Sequence, residues 1–446
     1  MGSQATAPPP WLSSLLESNN PAPKLYAWTP AHLGLSPASS SAPPADDAAR
    51  RLYILGLGNL GRLYALYIRS RAHDPPPITL LVHRKELLAQ WHASNGIQVT
   101  CRDQVHTCKD FAIEWWAEEP PPETDSHAPI REAADGGTIH NLLVTTKAQA
   151  ALPEVDRMRR YLGAQSAVAF AQNGMSKLWP PHGASYMAAR FPSGGSGSSG
   201  GGFTPLLCVT NHGLYSTGPF SSVFAAPADA YLGPVVLQDT PAAPAPSAAY
   251  LTSQITGTAI LNAASFSSLD VWVLQLEKLI VNTCINPLTA ILRCKTGGLF
   301  VTPDGIPARV MDRLLASSSR ILQALVADAS SAPILATDAQ RRSPAELRAE
   351  LTARFAQPGL RAMLHRAGIR VKDNKSSMLQ DVEAGKPTTE IRDFNGWLVD
   401  AAAYLGAESI DVSVHQQVID LVERRVVMNE EQLAAHFLTD VNAASS

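Results

Sequence analysis

Lys278, Asn282 and Asn286 stand at i, i+4 and i+8 in the segment Leu276-Glu277-Lys278-Leu279-Ile280-Val281-Asn282-Thr283-Cys284-Ile285-Asn286-Pro287. A helix there aligns all three on one face. Leu279, Ile280, Val281 and Ile285 surround them, so an amine and two carboxamides must find partners or carry a desolvation cost. That makes the trio a candidate catalytic constellation. A lysine that snorkels to the surface, with asparagines that cap a neighbouring helix, fits the same spacing.

A second chemical signature lies upstream. Leu52-Tyr53-Ile54-Leu55 reads as a strand and runs into Gly56-Leu57-Gly58-Asn59-Leu60-Gly61, after which a helical pattern begins. In such a turn Gly56 makes the tight bend, Gly58 lets backbone approach a pyrophosphate, and Gly61 permits close helix–strand packing. Asn59 and Leu60 open the helix whose free N–H groups then face the phosphates. The next strand, Ile78–Val82, ends in His83-Arg84-Lys85. The carboxylate that would hold an NAD ribose is missing, and Arg84 and Lys85 suit the 2′-phosphate of NADPH instead. A solvated basic turn is the alternative.

Five blocks, taken in order, resemble the ketopantoate reductases, also called 2-dehydropantoate 2-reductases. They are Gly56 to Gly61, Val144-Thr145-Thr146-Lys147-Ala148, Gln172-Asn173-Gly174-Met175, Glu277 to Ala290, and Asn374-Lys375-Ser376-Ser377-Met378-Leu379-Gln380-Asp381 leading to Thr389-Glu390-Ile391 and Asn395-Gly396. The resemblance implies that Lys278 donates a proton to a ketone oxygen while NADPH delivers hydride to the adjacent carbon. An ammonium beside a developing alkoxide supplies both charge and proton. It further implies that Glu390 anchors substrate and helps position the lysine. Asn282 and Asn286 would hold the substrate's hydroxyl and carbonyl groups, and Ser377 its carboxylate. Lys147 and Asn173 match residues at strand ends beside the cofactor, where ligands of open α/β sheets bind.

The implied reaction is reduction of a 2-oxo acid. Ketopantoate to pantoate, on the route to pantothenate and coenzyme A, is the leading case. Two departures touch the substrate's expected surroundings: Thr296 where the family commonly has asparagine, and Arg392 where it usually has aspartate. They keep open a reductase of a different 2-oxo acid. A non-catalytic NADPH-binding regulator is the reading from another class, and the retained Lys278/Glu390 pair argues against it.

Such residues need a scaffold of two kinds. Apolar runs at Leu52–Leu55, Ile78–Val82, Leu142–Thr145 and Val168–Ala171 read as buried parallel strands, with crossover helices such as Leu60–Arg71 between them. After about residue 265 helical periodicity takes over, at Leu269–Pro287, Val310–Ala327, Glu346–Phe355, Ile391–Leu405 and Val414–Arg425. The fold class is therefore α/β. A Rossmann-type dinucleotide-binding domain over 51–265 precedes an all-α domain over 266–435, of the kind found at the C terminus of 6-phosphogluconate dehydrogenase. Most of residues 1–50, rich in Pro, Ala and Ser, read as a disordered tail, with Trp28 and Tyr26 left open as docking residues, and 436–446 reads as another tail. Glu118–Gly137, Ser193–Gly202, Asp239–Ser247 and Asp328–Pro344 read as loops.

Composition narrows the partners. A net charge of -3 leaves no electrostatic footprint for nucleic acid or an anionic membrane. Five cysteines without metal-ligand spacing point to free thiols and to no metal. No basic residue precedes Lys24, against a secretory signal or Arg-rich transit peptide. The expected partner is a small 2-oxo acid in the cytoplasm, with a homodimer and a mitochondrial location left open.

Overall fold

Runs such as Leu52–Leu55 and Ile78–Val82 are apolar without alternation, so strands built from them need cover on both faces. The computed structural model of the chain describes residues 8–18, 20–35, 48–119, 131–192, 202–237, 245–406 and 410–438. In chain order the strands are β1 (Tyr26–Trp28), β2 (Leu52–Leu55), β3 (Ile78–Val82), β4 (Ile97–Cys101), β5 (Gln104–Cys108), β6 (Ala112–Ala117) and β7 (Arg131–Glu132). They continue with β8 (Asn141–Val144), β9 (Ala167–Phe170), β10 (Thr204–Thr210), β11 (Gly213–Gly218), β12 (Ser221–Ala226), β13 (Ala230–Pro234) and β14 (Ala263–Ser265).

Ten of these form one sheet in the order β14-β13-β10-β9-β8-β2-β3-β6-β1-β7. Its centre, from β10 to β6, is parallel throughout. The chain passes from β2 to β3 on one side and later returns to β8 on the other. Strand order thus reverses at β2, and a crevice opens beyond its carboxyl end, where ligands of such sheets bind.

Side chains alternate across the sheet. Leu52 and Ile54 join a core with α2 (Asn59–Arg69), α3 (Glu86–Ala93) and α6 (Pro246–Thr256). Tyr53 and Leu55 face the other way, into a core with α4 (Ala148–Arg157), α5 (Gly183–Arg190) and Leu12 of α1 (Pro10–Glu17). A smaller sheet, β11-β12-β4-β5, lies over α2. Arg62 of α2 ties the two together by donating to the carbonyls of Gly218 at 3.1 Å and Ser221 at 2.8 Å.

Beyond β14 the described chain is helical. Its elements are α7 (Ser268–Leu292), α8 (Ile306–Ala327), α9 (Ala332–Ala336), α10 (Pro344–Arg354), α11 (Gln357–Arg370), α12 (Ser377–Glu383), α13 (Ile391–Tyr404), α14 (Ser413–Glu423) and α15 (Glu430–Phe437). Ser267 caps α7 through the Asp270 N–H at 3.1 Å. Pro287 inside that helix removes one donor and frees the Thr283 carbonyl. Asn395 of α13 fills the gap, donating to that carbonyl at 3.2 Å, and its side chain also meets His415 Nδ1 at 3.1 Å. The Asn395-Gly396 motif thus docks α13 on the helix that carries Lys278.

The tail expected over residues 1–50 is corrected by β1, which pairs antiparallel with both β6 and β7. Three residues suffice to extend the sheet because Leu25, Ala27 and Trp28 are buried and Trp28 packs on Trp115 at 4.4 Å. The C-terminal tail expected from 436 is corrected likewise: Phe437 and Leu438 are buried. The loop expected at Asp328–Pro344 contains α9, and β7 closes the one expected at Glu118–Gly137. Most of the loops expected at Ser193–Gly202 and Asp239–Ser247, and 120–130 of the one at Glu118–Gly137, lie outside the described residues.

Because Trp28 is only 6% exposed, Trp28→Ala is expected to cost about 3 kcal/mol of stability. A lower urea midpoint checks this, and an unchanged one would remove the N-terminal strand from the fold.

Candidate active site

The glycine turn sits at the switch point. Gly56 has φ +95°, a left-handed conformation that suits glycine. A Cβ there would lie 2.8 Å from the Thr146 backbone nitrogen, and one on Gly61 would lie 2.0 Å from the Gly56 carbonyl. The Thr145 hydroxyl holds the turn by donating to that carbonyl at 2.5 Å. Gly58 differs, since a Cβ on it would meet nothing within 4 Å. Gly56 and Gly61 are thus packing requirements, while Gly58 fronts open space. No side chain caps the start of α2, so its first-turn N–H groups stay available to an anion. Asn59 Oδ1 accepts from Ser222 at 2.9 Å, and Leu60 follows it in that first turn.

Arg84 and Lys85 are exposed at the carboxyl end of β3 and, among the described residues, enter no ion pair. Two exposed cations at this strand end fit a phosphate group. The turn, the uncapped helix and these cations together fit a dinucleotide.

Lys278 reaches across from α7 to the end of β10, where its ammonium donates to the Thr210 carbonyl. Partly exposed itself, it is packed among protein atoms that pull its pKa down to about 8, and the Glu390 carboxylate opposes that fall. Asn282, one turn on, buries an Nδ2 without a partner. Asn286, a further turn on, offers Nδ2 to the Ser377 hydroxyl at 3.5 Å. Ser376 caps α12 and meets the Thr289 hydroxyl at 2.7 Å, so α12 is docked on α7 with Ser377 facing Asn286.

A second charged group stands beside the first. Lys147, just past β8, lies 3.2 Å from Asp381 of α12 and 3.4 Å from Glu390 at the start of α13. Both carboxylates are 4% exposed. Burial alone would lower the Lys147 pKa, but Glu390 and Asp381 outweigh it and the net shift is upward. Glu390 therefore pairs with Lys147 and acts on Lys278 only at longer range. Asn173 is partly exposed past β9, and Gln275 of α7 grips the next residue by donating to the Gly174 carbonyl at 2.7 Å.

Family models described as ketopantoate reductase PanE/ApbA and its C-terminal region match residues 52–236 and 270–426. The chain belongs to the ketopantoate reductase family. Ketoisovalerate reductase of Gibberella fujikuroi is 44% identical over 447 residues, spanning 93% of this chain and 96% of its own. Ketoisovalerate reductase of Beauveria bassiana is 42% identical over 471 residues, spanning 96% and 99%. The solved 2-dehydropantoate 2-reductase of Geobacter metallireducens shares the fold, with a TM-score of 0.53 at 18% identity, covering 84% of this chain and 99% of that one. These two relatives are thus named for ketoisovalerate rather than for ketopantoate.

Asp381 and Gln275 join the site without a role implied by the resemblance. Asp381 lies at i+4 from Ser377, so the shared face of α12 was a readable signal; Gln275 lies three residues before Lys278. The concern over Arg392 is corrected, because its guanidinium pairs with Glu423 at 2.6 and 2.7 Å on the exposed face of α13. Thr296 is buried, with its backbone N–H donating to Asn374 at 3.1 Å beside the Ser377 block. His212 is held neutral by burial, which pulls its pKa down to about 4, and it packs on Phe224 at 5.1 Å.

The three glycines separate two effects. Gly58→Val is expected to leave thermal stability near that of the unaltered protein yet weaken dinucleotide binding by at least ~10-fold, the scale of one lost charge-assisted hydrogen bond. Gly61→Val should lower the melting temperature as well. Tight binding to the Gly58 variant, by fluorescence titration, would place the pyrophosphate elsewhere.

Proposed function

We propose that the chain reduces a 2-oxo acid to a 2-hydroxy acid with NADPH, and that ketoisovalerate is its substrate. The observation that carries the reaction is the Lys278 ammonium, desolvated and aligned with two carboxamides on one helix face. The substrate assignment is supported by the two relatives named as ketoisovalerate reductases, which span nearly the whole chain. NADPH over NADH is supported by the free Arg84 and Lys85 at the end of β3.

Bound NADPH would supply the hydride. Lys278 would hold its proton at the ketone oxygen, where a pKa of about 8 keeps it charged at neutral pH yet lowers the work of giving the proton up. Asn282, with its unpartnered Nδ2, would donate to a substrate oxygen, and Asn286 with Ser377 would orient the carboxylate end. Lys147 and Lys386 together offset the charges of Glu390 and Asp381, so that two buried carboxylates can flank an anionic substrate. Ketopantoate is a second reading, favoured by the same Asn282 amide, because that substrate carries a hydroxyl that could accept from it.

Comparison of kcat/KM for the two oxo acids decides between them. The reading expects ketoisovalerate to lead by at least ~10-fold, the scale set by one added polar group; a lead for ketopantoate would reverse the assignment. Lys278→Met is expected to lower kcat by at least ~100-fold. With unaltered Lys278, reduction should be steady below pH 8 and fall as pH rises through about 8, because the donor loses its proton there. A profile flat to pH 10 would exclude Lys278 as the acid. Arg84→Ala with Lys85→Ala should raise the KM for NADPH about 10-fold while leaving that for NADH in place.

A further inference from the structure

A cavity of about 460 Å³ lies beside α13 and α14, and none of the residues assigned above to cofactor or substrate lines it. Trp11 of α1, Met175, Trp397 and Ile419 give it apolar walls. Six charged residues line it as well, and four are engaged: Arg392 pairs with Glu423, Asp420 with Arg424, and Asp400 accepts from the Trp11 side chain. Lys177 and Asp393 are the other two. The Lys177 ammonium sits 4.9 Å from the centre of the Trp11 ring and, among the described residues, has no carboxylate within ion-pair distance. Asp393 is 6% exposed, and its Oδ2 has no hydrogen-bond partner. Burial pulls Lys177 down against the pull of Asp393 and Asp400, and lifts Asp393 to about 6 against the pull of Lys177.

A carboxylate oxygen and an ammonium that face one cavity without an ion-pair partner each carry a desolvation cost. A ligand with a single charge would answer one of them and strand the other. We propose that this cavity binds a zwitterionic α-amino acid with an apolar side chain, its ammonium on Asp393 and its carboxylate on Lys177. The side chain would lie against Trp11, Met175 and Trp397. Trp11 precedes residues 52–236 of the N-terminal family match, so this wall comes from the chain's own leading segment. Asp393 lies one turn beyond Glu390 on α13, which puts the occupant next to the carboxylate that holds Lys147. The proposal goes beyond the reductase reading and is read out by binding rather than by turnover.

Calorimetric titration of the full chain with L-phenylalanine and L-leucine tests it. 2-Phenylethylamine and 3-phenylpropionate serve as controls that each lack one charge. One equivalent of amino acid should bind, and each control should bind at least ~10-fold more weakly, as expected for a lost charged hydrogen bond. Lys177→Met and Asp393→Asn should each weaken the amino acid by a similar factor. The first of these sites is partly exposed, so one variant should fold even if the other does not. A second titration, with NADP+ and ketoisovalerate both saturating, fills the substrate site without turnover and should leave the affinity in place. Failure of both amino acids to bind would overturn the proposal, as would affinity untouched by either variant or competition by the oxo acid.

Discussion

An ammonium kept among apolar side chains must give its protons to an oxygen, and Lys278 gives one to the carbonyl of Thr210. That contact joins the long helix α7 to the last residue of a central sheet strand, and the site follows from it. The helix has to run past the carboxyl ends of the strands, where the glycine turn opens. Gln275, three residues earlier, fixes the same approach by gripping the Gly174 carbonyl. Burial then sets the chemistry: with no carboxylate at ion-pair distance among the described residues, the lysine stays charged at neutral pH but holds its proton less tightly than an exposed one.

The acidic groups nearby are held by a different cation. Lys147 takes Glu390 and Asp381, and Lys386 shares Asp381, which leaves Glu390 to raise the Lys278 pKa only from longer range. Behind the site, a chain of polar contacts runs from the Thr283 carbonyl through Asn395 and His415 to Ser318. Burial keeps His415 neutral, with its pKa lowered to about 3. The proline in α7 thus leaves the Thr283 carbonyl with a partner.

Local signals were legible and distant ones were not. The strands at Leu52–Leu55 and Ile78–Val82 fall where their apolar runs end, because a buried strand leaves its mark residue by residue. Lys278, Asn282 and Asn286 share a face because spacing alone decides it. By contrast, Lys147 and Asp381 meet across 234 positions, and no periodicity announces such a pair. The small sheet was missed for a related reason: β5 is largely exposed and β11 half-polar, so neither carries a core pattern. β1 was hidden by length, since three residues cannot display a period. Arg392 was misjudged as a substrate neighbour because its partner, Glu423, lies on another helix.

The account rests on one desolvated amine, and its titration can be watched directly. Protein labelled with 13C at lysine Cε, compared with the Lys278→Met variant to assign the signal, should show that lysine titrating near 8. A midpoint at the ordinary lysine value of 10.5 would mean that the ammonium is solvated, and the proton-donor role would fall with it.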